Sequence, residues 1–465
     1  MPRLMRRTLT FEADRGFALP ELEGDVLEGR FFEVTYFDTP ARRLASAAIT
    51  LRRHVENGRS RWFLELREGE DRLEADGGPV PPDELTRPLA TLIGVSELVP
   101  VASLRTRRQG RVVRDNGHAV ARLLADDVSF LDPHQDGFGQ VRIEFVEGGR
   151  RDLAALRKRV QKAGARKKAG SVEASLGLVD QAGEPEAGIS ADARQTVAAA
   201  LRRQQRALLR HDPGTRLGFP EDVHQLRVAA RRSRAYLRAA RRLFQPEWTS
   251  AVQADLRWLG QEVGAVRDLD VLIERLELER AAFDEADARA ASPLLKRLRG
   301  ERSRARERLV GALDSERYAE LLDALDHESP NWMPSTREPD LRALAAKEVD
   351  RLAVDEVDEE ASDEELHALR IRAKRVRYAA ELIAPASRRA RRVVKRAKRL
   401  QDVLGEHQDA AVAERRLRAL IRPRDAAATA LVAGRLVERQ RERRRAARRD
   451  FPQALRKLER AGSKL

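Results

Sequence analysis

The sequence predicts a multidomain α+β and all-α protein, in which an N-terminal antiparallel β-barrel or tunnel-like domain precedes two pseudosymmetric antiparallel helical bundles. Three observations predict it. Residues 1–180 consist of short segments mixing β-branched and aromatic residues, separated by Gly, Asp, Asn and Pro. From residue 191 onward, long Ala-, Leu- and Arg-rich segments take over. That second region also contains a pair of self-similar segments. A chain of 465 residues with 42% apolar content has room for several full-sized cores.

In chain order, the expected strands are FFEVTYFDTP, AAITLRRHV, SRWFLELREG, HAVARLLADDVSF and GQVRIEFVEGG, followed by a closing helix in DLAALRKRVQKAG. DQAGEPEAGISADA has the Gly, Pro and acidic content of a linker, placed at residues 181–190, and Ser190 is the expected N-cap of the next helix. The helical region spans 191–465, with breaks expected at HDPGTRLGFP, SPNWMPSTREP and IRPRD, and with units of about 191–330 and 338–465. The acidic run DEVDEEASDEE, residues 355–365, reads as a solvated linker and helix start, because Ser362 and Glu365 form a capping-box pattern.

Composition excludes several classes of function. The chain has no cysteine, so disulfides, thiolate zinc sites and a cysteine nucleophile are ruled out. No segment approaches the roughly 18 to 20 apolar residues of a membrane span, and the basic N-terminus is not followed by an apolar run, so a cytoplasmic protein with no membrane partner is expected. Residues 1–190 carry 30 Lys+Arg against 30 Asp+Glu, and residues 191–465 carry 60 against 45, so the whole excess of +15 lies in the helical region.

Within that region, HQLRVAARRSRAYLRA at 224 recurs as HALRIRAKRVRYAAEL at 367, and WLGQEVGAVRDLDV at 258 recurs as RLQDVLGEHQDAAV at 399. His224, Arg227, Arg231, Arg232 and Arg234 thus correspond to His367, Arg370, Lys374, Arg375 and Arg377, while Gly264 and Asp268 correspond to Gly405 and Asp409. On a helix, His224, Arg227, Arg231, Arg234 and Arg238 fall within an arc of roughly 80°, opposite Leu226, Ala229, Tyr236, Leu237, Ala240, Leu243 and Phe244. His367, Arg370, Lys374 and Arg377 likewise lie opposite Leu369, Val376, Ala380 and Ile383.

No acid lies between Asp222 and Glu247 or between Glu365 and Glu381, so i,i+4 pairing within these helices is not expected to neutralise the stripes. The segment Leu382 to Gln401 adds eight more Lys and Arg without an acid. If the stripes face each other, their guanidinium groups suit an extended, phosphate-rich polyanion. Nucleic acid is the disfavoured version of that ligand: aromatic residues, the usual stacking platform for bases, make up 5% of the chain, and Tyr236 and Phe244 fall on the core side.

With these residues in view, the second half resembles the CHAD family, the conserved-histidine α-helical domain. HQLRVAARRSR, HALRIRAKRVR, GAVRDLDVL and LQDVLGEHQDA carry the resemblance. It implies two four-helix bundles, binding of inorganic polyphosphate along the central basic surface, and association with polyphosphate granules. Position by position, the binding role falls on His224, Arg227, Arg231, Arg232, Arg234, His367, Arg370, Lys374, Arg375 and Arg377. Arg238 joins them by its place on the stripe, and Arg257, Lys398 and Arg399 are further candidates.

The first half resembles the CYTH domain, the tunnel fold of triphosphate-processing enzymes, through YFDTPARRLASAAITLRRH. That resemblance implies an N-terminal ExExK for metal and phosphate, but the corresponding positions here hold Arg6, Thr8 and Thr10. The acidic strand near the end reads Gln140, Arg142 and Glu144, and an expected lysine is Glu65. Asp126, Asp127, Glu144 and Glu147 remain as scattered acids, and Arg52, Arg53, Arg107 and Arg108 as possible phosphate contacts. Hard cations require oxygen ligands, so the domain is expected to lack catalysis, and the protein to need no metal or cofactor; a metal-dependent triphosphatase is the competing reading.

Overall fold

In the computed structural model, the described residues are 8–66, 72–115, 117–132, 136–146, 150–167, 193–326, 340–352, 357 and 360–465. The chain forms two compact units, 1–182 and 183–465. The proposed linker at 181–190, with Ser190, and the SPNWMPSTREP break lie outside the described residues, as do several positions of the acidic run.

The first unit is built on one nine-stranded antiparallel sheet: β1 (Thr8–Ala13), β2 (Gly24–Asp38), β3 (Thr50–Glu56), β4 (Arg59–Glu65), β5 (Arg72–Asp76), β6 (Val99–Asp115), β7 (His118–Phe130), β8 (Phe138–Phe145) and β9 (Arg166–Lys167). Its order is β5-β4-β3-β2-β6-β7-β8-β1-β9, so among the described residues the edge strands β5 and β9 do not pair and the sheet is open rather than closed into a barrel. Helix α1 (Arg150–Lys162) packs Leu156 and Val160 on Phe11, Leu123, Val141 and Ile143. Asn57 and Gly58 both take positive φ at the β3–β4 turn, the requirement of a tight type I′ hairpin. YFDTP has a local structural job: the buried Asp38 carboxylate accepts hydrogen bonds from the backbone N–H groups of Thr39, Leu44 and Ala45 at 2.7, 2.9 and 3.0 Å. These hold the turn that leads into β3.

The second unit is helical: α2 (Ala193–Leu217), α3 (Pro220–Ala239), α4 (Pro246–Ala281), α5 (Glu285–Leu313), α6 (Glu316–Asp326), α7 (Leu341–Asp350), α8 (Asp363–Ile383), α9 (Arg388–Leu420) and α10 (Ala427–Gly462). Proline at the first helical position starts α3 and α4, where the missing N–H costs nothing. The Ser362–Glu365 capping box forms in both directions. HDPGTRLGFP, residues 211–220, interrupts the helices as expected, late in the segment: α2 continues through Pro213 to Leu217, with Arg216 of its last turn paired to Asp212 and Asp314, and the stop comes at Gly218 with φ 82° before α3 begins at Pro220.

The apolar faces read from the sequence are the buried ones. Leu226, Ala229, Tyr236, Leu237, Ala240, Leu243 and Phe244 join one core. Leu369, Val376 and Ala380 join a second, built from α8, α9 and α10, while Ile383 reaches the first. Tyr236 of α3 and Tyr378 of α8 meet edge to face, with centroids 6.4 Å apart, where the two repeats join.

Candidate functional site

With their core faces fixed, α3 and α8 turn their basic faces into one cavity of about 1220 Å³. His224, Arg227, Arg231 and Arg234 line it from α3, and His367, Arg370 and Lys374 from α8. The second repeated motif closes around the same place in both halves. Arg227 donates to Asp268 at 2.6 Å, and Arg370 faces the charge of Asp409. The guanidinium groups of Arg227 and Arg370 each lie 3.7 Å from where a Cβ would stand on Gly264 and Gly405. The repeated glycine and aspartate therefore seat the first arginine of each stripe.

The structure separates the remaining predicted residues. Arg257 lines the cavity. Arg238 lies outside its wall but within electrostatic reach of Arg257 and Arg375, continuing the cationic surface beyond the rim. Arg375, Lys398 and Arg399 are exposed and away from the cavity lining. Arg232 and Arg377 are turned elsewhere: both pair with Glu381, at 3.4 and 2.8 Å, and Tyr236 donates to the same carboxylate at 3.0 Å.

This corrects the expectation that the stripes are unneutralised. Glu381 closes an i,i+4 pair with Arg377 on its own helix, and Asp268 reaches Arg227 from α4. Carboxylates outside the acid-free windows do part of the work that those windows seemed to forbid.

Sequence reasoning missed a third wall. Arg267 and Arg275 of α4, Arg304 and Arg308 of α5, and Arg416 of α9 also line the cavity. Arg275 and Arg416 stand 141 residues apart, the offset of the second repeated motif, so extending the self-comparison would have found them. Arg304 and Arg308 sit among Glu301 and Glu307, where a count of local charge gives no signal. Eleven Arg and Lys side chains line the cavity and three are in ion pairs, Arg227 with Asp268, Arg275 with Glu406 and Arg416 with Glu301. The other eight have no carboxylate within 4.0 Å among the described residues.

Helix α10 shows that this is not a general property of an arginine-rich chain. Arg439 and Arg443 share Glu279, Arg441 and Arg444 share Glu414, Arg444 and Arg448 share Asp363, and Arg445 pairs with Glu438. The basic run of α10 is matched by acids, whereas the cavity and the run 388–399 of α9 are not, among the described residues.

Titration within the cavity follows from that imbalance. Burial, then the charge of Arg267, holds the His224 imidazole below its ordinary value. Burial and the four neighbouring guanidiniums of Arg370, Arg231, Arg227 and Arg234 bring the Lys374 amine down to about 7.

In the first unit, Thr8, Thr10 and Glu12 of β1 pair with Glu144, Arg142 and Gln140 of β8, so the positions compared with metal-binding carboxylates do lie side by side. They do not form an oxygen cage. Asp126 is buried and accepts from Arg108 at 2.6 and 3.0 Å, from Arg142 at 3.1 Å and from Gln140 at 3.0 Å. Burial pushes its carboxyl up, but the Arg108 hydrogen bond and the charges of Arg142 and Arg108 outweigh this and leave it below the usual carboxylate range. A guanidinium pair thus occupies the lone pairs that a divalent ion would need, and the residues present do not fit one.

Asp127 pairs with Arg15, and Glu65 with Arg52 at 3.1 Å. Arg6 and Glu147 lie outside the described residues. Among the described residues no three His, Asp or Glu side chains are grouped to hold a metal ion, and no helix is long and apolar enough to cross a membrane.

Fold and site together define a two-repeat helical protein with a shared cationic cavity, carrying an antiparallel-sheet unit at its N-terminus. Comparison with known proteins gives the class a family. The CHAD domain family model matches residues 199–418. An uncharacterized protein of Mycobacterium tuberculosis (strain ATCC 25618 / H37Rv) is 30% identical, over 92% of this chain and 90% of that protein. The crystal structure of the CHAD domain from the plant Ricinus communis is similar at 25% identity, over 58% of this chain and 93% of that one, with a TM-score of 0.47. A putative adenylyl cyclase from Hippeastrum, described as having a dominant triphosphatase activity, is similar at 18% identity over 36% of this chain and 93% of that one, with a TM-score of 0.28. The chain belongs to the CHAD domain family.

Proposed function

We propose that the protein binds inorganic polyphosphate in the cavity between α3 and α8, through many modest contacts rather than one strong one. The observation that carries this reading is the set of eight Arg and Lys side chains that line one cavity with no carboxylate within 4.0 Å among the described residues, whereas the arginines of α10 from Arg435 to Arg448 are paired. Guanidinium stays charged, is weakly hydrated and offers a planar donor fork to phosphate oxygens. Among the described residues no Phe, Tyr or Trp side chain lines the cavity, which supports a ligand of phosphate without stacked bases.

His224, Arg227, Arg231, Arg234, Arg257, His367, Arg370 and Lys374 are the proposed contacts from the sequence, joined by Arg267, Arg304 and Arg308. Arg238 and Arg375 would extend the track beyond the cavity. Arg232 and Arg377 are assigned to holding the repeats together. In the first unit, the fit of Asp126 to arginines in place of a cation supports a non-catalytic role.

The test is binding to purified protein of long-chain polyphosphate, tripolyphosphate and orthophosphate, with RNA as competitor. Affinity is expected to rise with polymer length and to resist RNA at physiological salt. Equal affinity for short and long phosphates, or displacement by RNA at similar charge concentration, would refute the reading. Release of orthophosphate from tripolyphosphate with Mg²⁺ or Mn²⁺ would instead point to a hydrolase. A cytoplasmic place at polyphosphate granules belongs to the same proposal, and fluorescence microscopy of the tagged protein tests it.

A further inference from the structure

Within the two basic stripes, the repeats differ in residue type at one matched pair that lines the cavity from both sides. Where α3 has Arg231, α8 has Lys374, and both side chains line the wall. The Lys374 amine is half-buried and surrounded by cations: Arg227, Arg231 and Arg234 from α3, and Arg370 from its own helix. The charged groups on the other packed elements do not balance them. From α4, Asp268 is held by Arg227 and Arg275 is paired with Glu406 of α9, while Arg257 and Arg267 add positive charge. From α9, Asp409 faces Arg370 and Arg416 is paired with Glu301, while Glu348 of α7 acts on Arg238. His224 and His367 complete the titratable groups of the wall.

No carboxylate lies within 4.0 Å of Lys374 among the described residues. An arginine in such a place keeps its proton at any ordinary pH, whereas a lysine gives it up. The position is thus one where the choice of lysine over arginine changes the charge of the empty cavity.

We propose that Lys374 couples ligand binding to proton uptake: a phosphate polyanion entering the cavity supplies the missing negative charge, and the amine takes a proton from solvent to meet it. This deepens the polyphosphate reading and rests on it. The device makes the empty cavity less self-repelling at neutral and alkaline pH, and makes retention of the ligand sensitive to pH in the range where cells operate. With the free amine at about 7 and the bound amine returned toward the ordinary lysine range, affinity is expected to fall about tenfold between pH 6 and pH 8 from this group alone.

Isothermal titration of long-chain polyphosphate into the full-length protein at pH 8, in buffers of differing ionisation heat, measures the proton uptake directly. Wild type is expected to take up a proton at this position, and Lys374→Arg to bind without that uptake and without the tenfold change. The arginine already present at 231 shows that the wall accommodates a guanidinium. Uptake that persists in His224→Gln/His367→Gln assigns it to the amine; uptake that vanishes there, or survives in Lys374→Arg, overturns the proposal. NMR titration of the Lys374 amine in ligand-free protein tests the coupling independently. An amine that titrates above pH 10 refutes it even if polyphosphate binds. An amine that titrates near neutrality beside a protein that binds no polyphosphate sinks the ligand assignment instead.

Discussion

The charge imbalance of the cavity makes a prediction in salt. Each cation that neutralises a phosphate releases a condensed counterion, so log K falls linearly with log salt, with a slope of about −0.7 per contact on a flexible single-stranded polyanion. Eight cations with no carboxylate within 4.0 Å among the described residues then give a slope of about −5 to −6, or a loss of affinity of roughly 1000- to 4000-fold between 50 and 200 mM salt.

Replacing Arg231 and Arg304 together with glutamine is expected to shallow the slope by about 1.4. Fluorescence anisotropy of end-labelled polyphosphate at pH 6, where Lys374 is charged, measures it, with circular dichroism as the check on folding. Arg441→Gln is the internal control, because that guanidinium is shared between Glu414 and Glu438 and should leave the slope unchanged. A wild-type slope near −1, or an equal change in the Arg441 variant, would show that the cavity is not where the anion is neutralised.

Gly264→Leu places a branched side chain where the Arg227 guanidinium now lies, and should weaken polyphosphate binding about tenfold, the worth of one charge-assisted hydrogen bond. Gly264→Ala meets that group at an ordinary 3.7 Å and should bind like wild type; equal effects in the two variants would refute the seating role. Asp126→Asn removes the buried carboxylate shared by the half-buried Arg108 and Arg142 and is expected to cost about 3 kcal/mol in urea denaturation. Because the Asp126 carboxyl titrates below its ordinary value in the folded protein, its stabilisation is full above the unfolded value of about 4 and is lost as pH falls through the folded value. The variant should lack that acid-side loss, and a loss equal to wild type would assign it to other carboxylates.

The stripes were legible because helical periodicity and repetition reinforce each other. Either stripe alone is an ordinary solvated face, but a second copy in the same register pointed to Arg227, Arg231, Arg370 and Lys374. What local sequence cannot show is which carboxylate arrives from elsewhere. Glu381 stands just past the end of an acid-free window, and its ion pairs with Arg232 across the repeat boundary and with Arg377 on its own helix removed two predicted contacts from the cavity. Arg304 and Arg308 were hidden for the opposite reason: adjacent glutamates made their segment look balanced, although the wall they face is not. In the first unit, β6 is a 17-residue strand left out of the sequence reading, because RTRRQGR has too little apolar alternation to register as one. It is paired on both sides, by β2 and β7, so neighbouring strands rather than its own composition secure it.

The position of Glu381 also bears on how the two halves relate. Its counterpart in the first repeat, 143 residues earlier, is Arg238. Two copies of the first repeat would therefore bring another arginine to the place where Arg232, Arg377 and Tyr236 now find an acid. The duplicated halves have become complementary, and neither can substitute for the other.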